Sequence, residues 1–249
     1  MGGISLDSAR VTDRGFEHDR RWMLVDGDNK FISQRTFPHL ALFHVSIQDG
    51  SLLVHYKPTG ENIPVPFGHS AKTIDVKVWD DECRSFEVSK HLNEWFSRLL
   101  QMKCELVYMP HETKRSVDDQ YAGGNDITGF SDGYPFMMIG QSSLDDLNSR
   151  LEIKLPINRF RPNIVFTGGV PFQEDNMDTF TINHIHFKGA ERCSRCVVTT
   201  IDQELATKGK EPLKTLATYR SAGNKIYFGK NLLYRGEGYI RLGDRIEVL

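Results

Sequence analysis

The chain has 249 residues, 39% of them apolar and 26% charged, with a net charge of −2. That length allows one large β-rich domain or two modest ones, and it buries enough surface to fold without disulfides. The near-neutral charge excludes a general nucleic-acid binder, no apolar run reaches the ~18–20 residues of a membrane span, and the first residues lack a signal-peptide core, so a cytoplasmic protein is expected.

Strand signals fill the first 80 positions. "RRWMLVD", the turn "GDNK" and "FISQR" predict a hairpin, and "HVSIQ", "DGS" and "LLVHY" predict a second. "TIDVKVW" alternates as a half-buried strand does. "SKHLNEWFSRLLQM" is the first clear helix, with Ser89 as N-cap and Leu92, Trp95, Phe96, Leu99 and Leu100 as its apolar stripe.

"ELVYMP" returns to strand at 105–110. The polar stretch over 111–135 has little periodicity, and connections of that length are usually functional or disordered. "FMMIG" reads as a buried strand, and "QSSLDDLNSRLE" as a helix opened by Ser142 or Ser143. Strands are expected at "FRPNIVFTGG", "FTINHIHFKGAER" and "CVVTTID". "EPLKTLATYR" is a short helix with Pro212 in its first turn, and the C-terminal end reads as strands joined by Gly turns. The pattern is mixed α/β and β-rich: a β-barrel or packed sheets with a few peripheral helices.

Four cysteines do not make a disulfide framework, and Cys83 and Cys104 read as buried thiols. Cys193 and Cys196 form a CxxC, which admits three readings. A redox disulfide normally opens a helix, yet "VVTTI" follows here, and all five of those residues are β-branched. A zinc site would use His184, His186, Cys193 and Cys196, although alternation puts both histidines on one strand face and the spacing is unusual for zinc. The third reading is a thiolate ligand for a redox metal, favoured by the neighbouring Arg192 and Arg195. Residue chemistry alone does not rank it first.

"RFRPNIV", "CSRCVVTTID", "EPLKTLATYR", "LDDLNSRLE" and "FSDGYPF" together resemble the MOSC-domain molybdenum enzymes, above all the bacterial reductases of N-hydroxylated bases and the mitochondrial amidoxime reducing components. The resemblance spans essentially the whole chain. It implies a β-rich N-terminal unit over residues 1–105, whose first residues to about position 20 join the core of the second unit. A MOSC β-barrel with peripheral helices over 106–249 would pack against it.

The resemblance further implies a molybdenum–molybdopterin cofactor with Cys196 as the protein's metal ligand and Cys193 outside the coordination sphere. Asp132, which alone reads as an ordinary Asp-Gly turn residue, matches an acidic residue near the metal and is expected to orient substrate or relay a proton. Arg161 and Asn163 in "FRPN" match pterin-contacting positions, with Arg20 and Arg195 as further candidates. Arg35 matches only weakly, and Arg21 and Arg35 otherwise read as solvated charges. Pyridoxal phosphate binding is implied at the level of the family alone.

In the family a Lys-Ser pair directly precedes the segment matching "GGISL", where this chain begins at Met1, and that pair helps bind the cofactor. Many bacterial relatives continue into a two-iron two-sulfur domain. No cysteine cluster here would hold an iron–sulfur cluster, so electrons are expected from a separate ferredoxin- or flavin-type donor. The expected reaction is reduction of a small N-hydroxylated substrate. The alternative is a carrier that delivers the cofactor or sulfur through a reactive cysteine.

Overall fold

The structure is a computed structural model that describes residues 1–117, 123 and 126–249. Its N-terminal unit contains two antiparallel sheets. Phe43–Gln48, Ser51–Tyr56 and Glu61–Pro66 form a meander. Trp22–Val25, Glu105–Tyr108, Asp81–Glu87 and Thr73–Val78 lie side by side in that order in the second sheet. Inward positions alternate with outward ones along Ser51–Tyr56 and Thr73–Val78, as the sequence pattern requires. Asp49 and Gly50, at φ 48° and 72°, form a two-residue turn with both central residues at positive φ.

The helix Lys90–Leu100 closes this unit. Its Leu92 N–H donates to the Ser89 hydroxyl at 3.2 Å, and Leu92, Trp95 and Phe96 are buried against the meander's core. Leu99 and Leu100 are only half-buried against the same cluster. Gln101 ends the helix in the left-handed region, where a residue with φ of 53° reverses the chain.

The C-terminal unit is a curved seven-stranded sheet. Ile164–Phe166, Phe136–Gly140, Lys225–Arg235, Ile185–Ser194, Thr179–Ile182 and Ile246–Val248 follow one another across it, and Ser221–Ala222 pairs with Lys225–Arg235 off this path. Phe136, Phe180, Phe187 and Tyr234 interlock edge-to-face and in a stack at its centre. The helices Gln141–Ser149 and Leu213–Ala217 lie at the periphery.

The first strand of the chain, Ser8–Thr12, pairs with Gly238–Arg241 and so joins the C-terminal unit. Tyr234 fixes it there, donating its hydroxyl to the Thr12 carbonyl and accepting from the Gly15 N–H at 2.9 Å. Among the described residues no helix is long and apolar enough to cross a membrane.

Four local expectations are corrected. "FISQR" is no strand: Phe31 makes one bridge to Val25, and the chain then turns toward the 3-10 helix Pro38–Leu42. The helix at 141 is capped at Gly140 rather than by Ser142 or Ser143, because the Ser143 hydroxyl donates to the buried Glu174 at 2.8 Å and accepts from the Phe172 N–H at 2.7 Å. His184 falls in the turn between Thr179–Ile182 and Ile185–Ser194, off the strand face it was expected to share with His186. "VVTTI" is a 3-10 turn, Val197–Thr200, in which the Thr199 and Thr200 hydroxyls donate back to the Cys196 and Val197 carbonyls. Threonine's short hydroxyl stabilises such a turn locally and overrides β-branched propensity.

The segment after that turn enters the N-terminal unit. Ile201 and Ala206 are part of its core cluster, and the buried Gln203 exchanges amide hydrogen bonds with Gln34 at 3.0 and 3.1 Å. Truncating one partner strands a buried amide, at about 1–3 kcal/mol. We therefore expect Gln34→Ala and Gln203→Ala each to lower urea stability by that amount, and the double variant to lose less than the two together. Strict additivity would show the pair to be uncoupled.

Candidate active site

Cys196 lies where the strand Ile185–Ser194 ends. Register shifts against Lys225–Arg235 between Gly189 and Ser194 mark a bulge, which re-aims the strand. A Cβ at Gly189 would sit 2.5 Å from the Met177 carbonyl and 2.6 Å from Lys230 Cε, so this bend requires glycine. The Arg195 N–H still bonds the Ile226 carbonyl, at 2.7 Å, and Cys196 follows in extended conformation at the head of the 3-10 turn. Its side chain is half-buried.

All four cysteines are free thiols. Cys193 packs against the core cluster that includes Met137, Phe160 and Phe228, and its sulfur accepts from Arg195 Nη1 at 2.9 Å. No disulfide joins it to Cys196. Among the described residues no group of three or more His, Cys, Asp or Glu side chains gathers at metal-binding distance, which rules against the zinc reading. His184 instead contacts the Glu237 carbonyl at 2.7 Å through Nε2.

Asp132 meets Cys196 through a residue that sequence reasoning underweighted. Arg35 Nη2 donates to Asp132 Oδ2 at 2.8 Å, and the same guanidinium lies within electrostatic reach of the Cys196 side chain. Its planar face lies 4.5 Å from the Trp79 ring centroid. Trp79 Nε1 donates to the other Asp132 oxygen at 3.3 Å. Desolvation acts to raise the Asp132 carboxyl, but the charges of Arg35 and Arg20 with the Arg35 and Trp79 hydrogen bonds outweigh it and hold the group below its ordinary value. It is therefore a carboxylate at neutral pH.

The remaining cations converge on the same place. Burial pushes Arg161 down to about 10, and the nearby Arg20 and Arg195 guanidiniums push the same way, against Asp19 and Asp132. Arg161 has φ 57° and donates to the Met1 carbonyl at 2.9 Å. Arg20 pairs with Asp19, whose carboxylate also accepts from Asn163 Nδ2 at 2.7 Å. Asn163 is fixed in turn by backbone bonds to Met137, so it orients the Asp19–Arg20 pair. Arg195 donates to the Phe160 carbonyl at 2.6 Å, while its buried Nε has no partner.

Two arginines lie elsewhere. Arg192 covers the Tyr227 ring, and Arg21 donates to the Met109 carbonyl beside Tyr108. Of the long connection, residues 118–122, 124 and 125 fall outside the described residues. Its two ends pair as Arg115–Ser116 with Ile127–Thr128. The buried Arg115 then donates to Asp81 at 2.7 Å and to the Gly129 and Ser131 carbonyls, which fastens the Asp132 turn in place.

Arg20, Arg161 and Arg195 thus lie near the carboxylates of Asp19 and Asp132, and Arg35 links Asp132 to the half-buried Cys196. Residues 1–103 match the MOSC N-terminal beta barrel domain and residues 125–247 match the MOSC domain. The chain belongs to this family. It is 29% identical over 265 residues to mitochondrial amidoxime-reducing component 1 of Mus musculus, covering 99% of this chain and 78% of that protein. It is 30% identical over 262 residues to mitochondrial amidoxime reducing component 2 of Bos taurus, covering 98% and 78%. It is also 28% identical over 274 residues to molybdenum cofactor sulfurase of Solanum lycopersicum, covering 98% of this chain but 34% of that protein.

The residues present fit an anionic organic cofactor with a metal that takes a sulfur ligand. The excess of guanidinium asks for an anion, the buried Arg195 Nε–H has no acceptor among the described residues, and a cysteine sulfur stands beside Arg35. A cationic surround also selects anionic reagents. Iodoacetate should alkylate Cys196 faster relative to iodoacetamide than it does a free thiol, and Arg35→Gln should lower that ratio about three-fold. Peptide mass spectrometry checks this, and an unchanged ratio would place Arg35 outside the sulfur's electrostatic reach.

Proposed function

We propose that this protein is a molybdenum-cofactor-dependent reductase of small N-hydroxylated compounds such as amidoximes, hydroxylamines and N-hydroxylated bases. One observation carries the reading: Arg35 links the Cys196 sulfur to Asp132, with Arg20 close to the same carboxylate. The reaction takes an N–OH group, two electrons and two protons, breaks the N–O bond, and yields N–H and water. When bound, the molybdenum centre supplies two-electron chemistry at one atom.

The chain's own residues have separable tasks. Cys196 Sγ is the metal ligand. Arg161, Arg195 and Arg20 hold the cofactor's phosphate and pterin, with Asn163 and Asp19 setting the angle of Arg20. Asp132 accepts a hydrogen bond from the substrate's N–OH or N–H through a carboxylate oxygen. Since its neighbours hold it ionised, it orients the substrate and does not serve as a proton reservoir. Protons then come from solvent at the pocket mouth, where Asp132 is exposed. The electrons come from a separate ferredoxin- or flavin-type protein. A reducing compartment such as the cytoplasm suits four free thiols.

The similarity to molybdenum cofactor sulfurase over 98% of this chain favours one other reading, a carrier that passes cofactor or sulfur to a client. The two differ in turnover. Cys196→Ser should keep its circular dichroism and lose reductant-driven N–OH reduction. Asp132→Asn should lower the rate about 10–100-fold with molybdenum content near that of the wild type. Wild-type protein that binds molybdenum or carries persulfide without any N–OH turnover would instead establish the carrier.

A further inference from the structure

We infer that Trp79 is a positioning residue that holds Arg35 and Asp132 beside the Cys196 sulfur. The inference rests on Cys196 being the functional sulfur and names a residue from the N-terminal unit on which that site depends. Thr73–Val78 and Asp81–Glu87 are joined by the two residues Trp79 and Asp80, since Val78 pairs with Asp81. Trp79 takes φ 57° at the first central position of this turn, a place usually given to glycine, asparagine or aspartate. A bulky residue there is strained. Core packing does not explain it, because Trp79 is 42% exposed.

Strain of this kind persists where surrounding contacts over-determine it, commonly at functional sites. Two contacts of Trp79 lead toward Cys196, and a third, to Phe31, ties it to the N-terminal core. Its ring lies edge-on to Phe31 at 4.9 Å and under the Arg35 guanidinium at 4.5 Å, and its N–H reaches Asp132 at 3.3 Å. The ring supports the guanidinium carbon while Nη2 reaches the Asp132 carboxylate. The same turn grips the Asp132 loop a second time, since Asp81 binds Arg115, which binds the Ser131 carbonyl at 2.6 Å.

The test compares Trp79→Gly and Trp79→Phe with the wild-type chain. Glycine relieves the backbone, so the melting temperature should stay within about 3 °C of wild type despite the lost ring contact. The iodoacetate-to-iodoacetamide ratio at Cys196 should nevertheless fall about three-fold. Trypsin cuts after Arg195, so the peptide beginning at Cys196 reports this sulfur apart from Cys193. Phenylalanine keeps a ring under Arg35 and should recover at least half of the loss.

An unchanged ratio in Trp79→Gly overturns the inference. So does a ratio equally low in both variants, or one that falls only in step with a falling melting temperature, which marks an ordinary structural residue. These readouts use the protein without cofactor. If the wild type shows no N–OH reduction while the labelling pattern holds, the reductase reading fails and the role of Trp79 stands.

Discussion

Everything at the site depends on residue 196 being held between two anchors. On one side the strand Ile185–Ser194 fixes it to the C-terminal sheet, through a bulge that only Gly189 allows. On the other, Ile201, Gln203 and Ala206 are planted in the N-terminal unit. The 3-10 turn spans the gap, so neither end is free to relax. Because Gln203 grips Gln34, the same docking that tethers the cysteine delivers the adjacent Arg35 to its sulfur. The sulfur and its cation come from opposite units, joined by the buried amide pair and by the packing of Ile201 and Ala206.

Electrostatics explains why such a site asks for a partner. The chain as a whole carries −2, yet Arg20, Arg161 and Arg195 lie within electrostatic reach of one another, near Asp19 and Asp132, and Arg35 links Asp132 to Cys196. Burial chiefly, and the like charges of Arg20 and Arg195 with it, disfavour the charged form of Arg161. An anion bound among these guanidiniums would relieve that cost.

Much of this was legible in the sequence. Alternation placed "TIDVKVW" and "LLVHY" in strands, and Ser89 with its apolar stripe placed the first helix, because burial on one face imposes a period that composition cannot hide. Of the expected site residues, Arg20 and Asn163 meet at the Asp19 carboxylate, and Asp132 is held by Arg35. The misses share a cause. Arg35 and Trp79 carry no local signal of function, since their meaning lies in a contact between units. "VVTTI" misled because side-chain hydroxyls outcompeted propensity, and Ser143 because its hydroxyl had a buried carboxylate to bind. Arg192 misled because closeness in sequence to Cys196 does not set direction, and the bulge turns it onto Tyr227.

The most direct measurement is X-ray absorption at the molybdenum edge of the loaded protein, comparing wild type with Cys196→Ala. The account predicts one sulfur fewer around the metal in the variant, with the other sulfurs kept. An identical sulfur count in both proteins would contradict it.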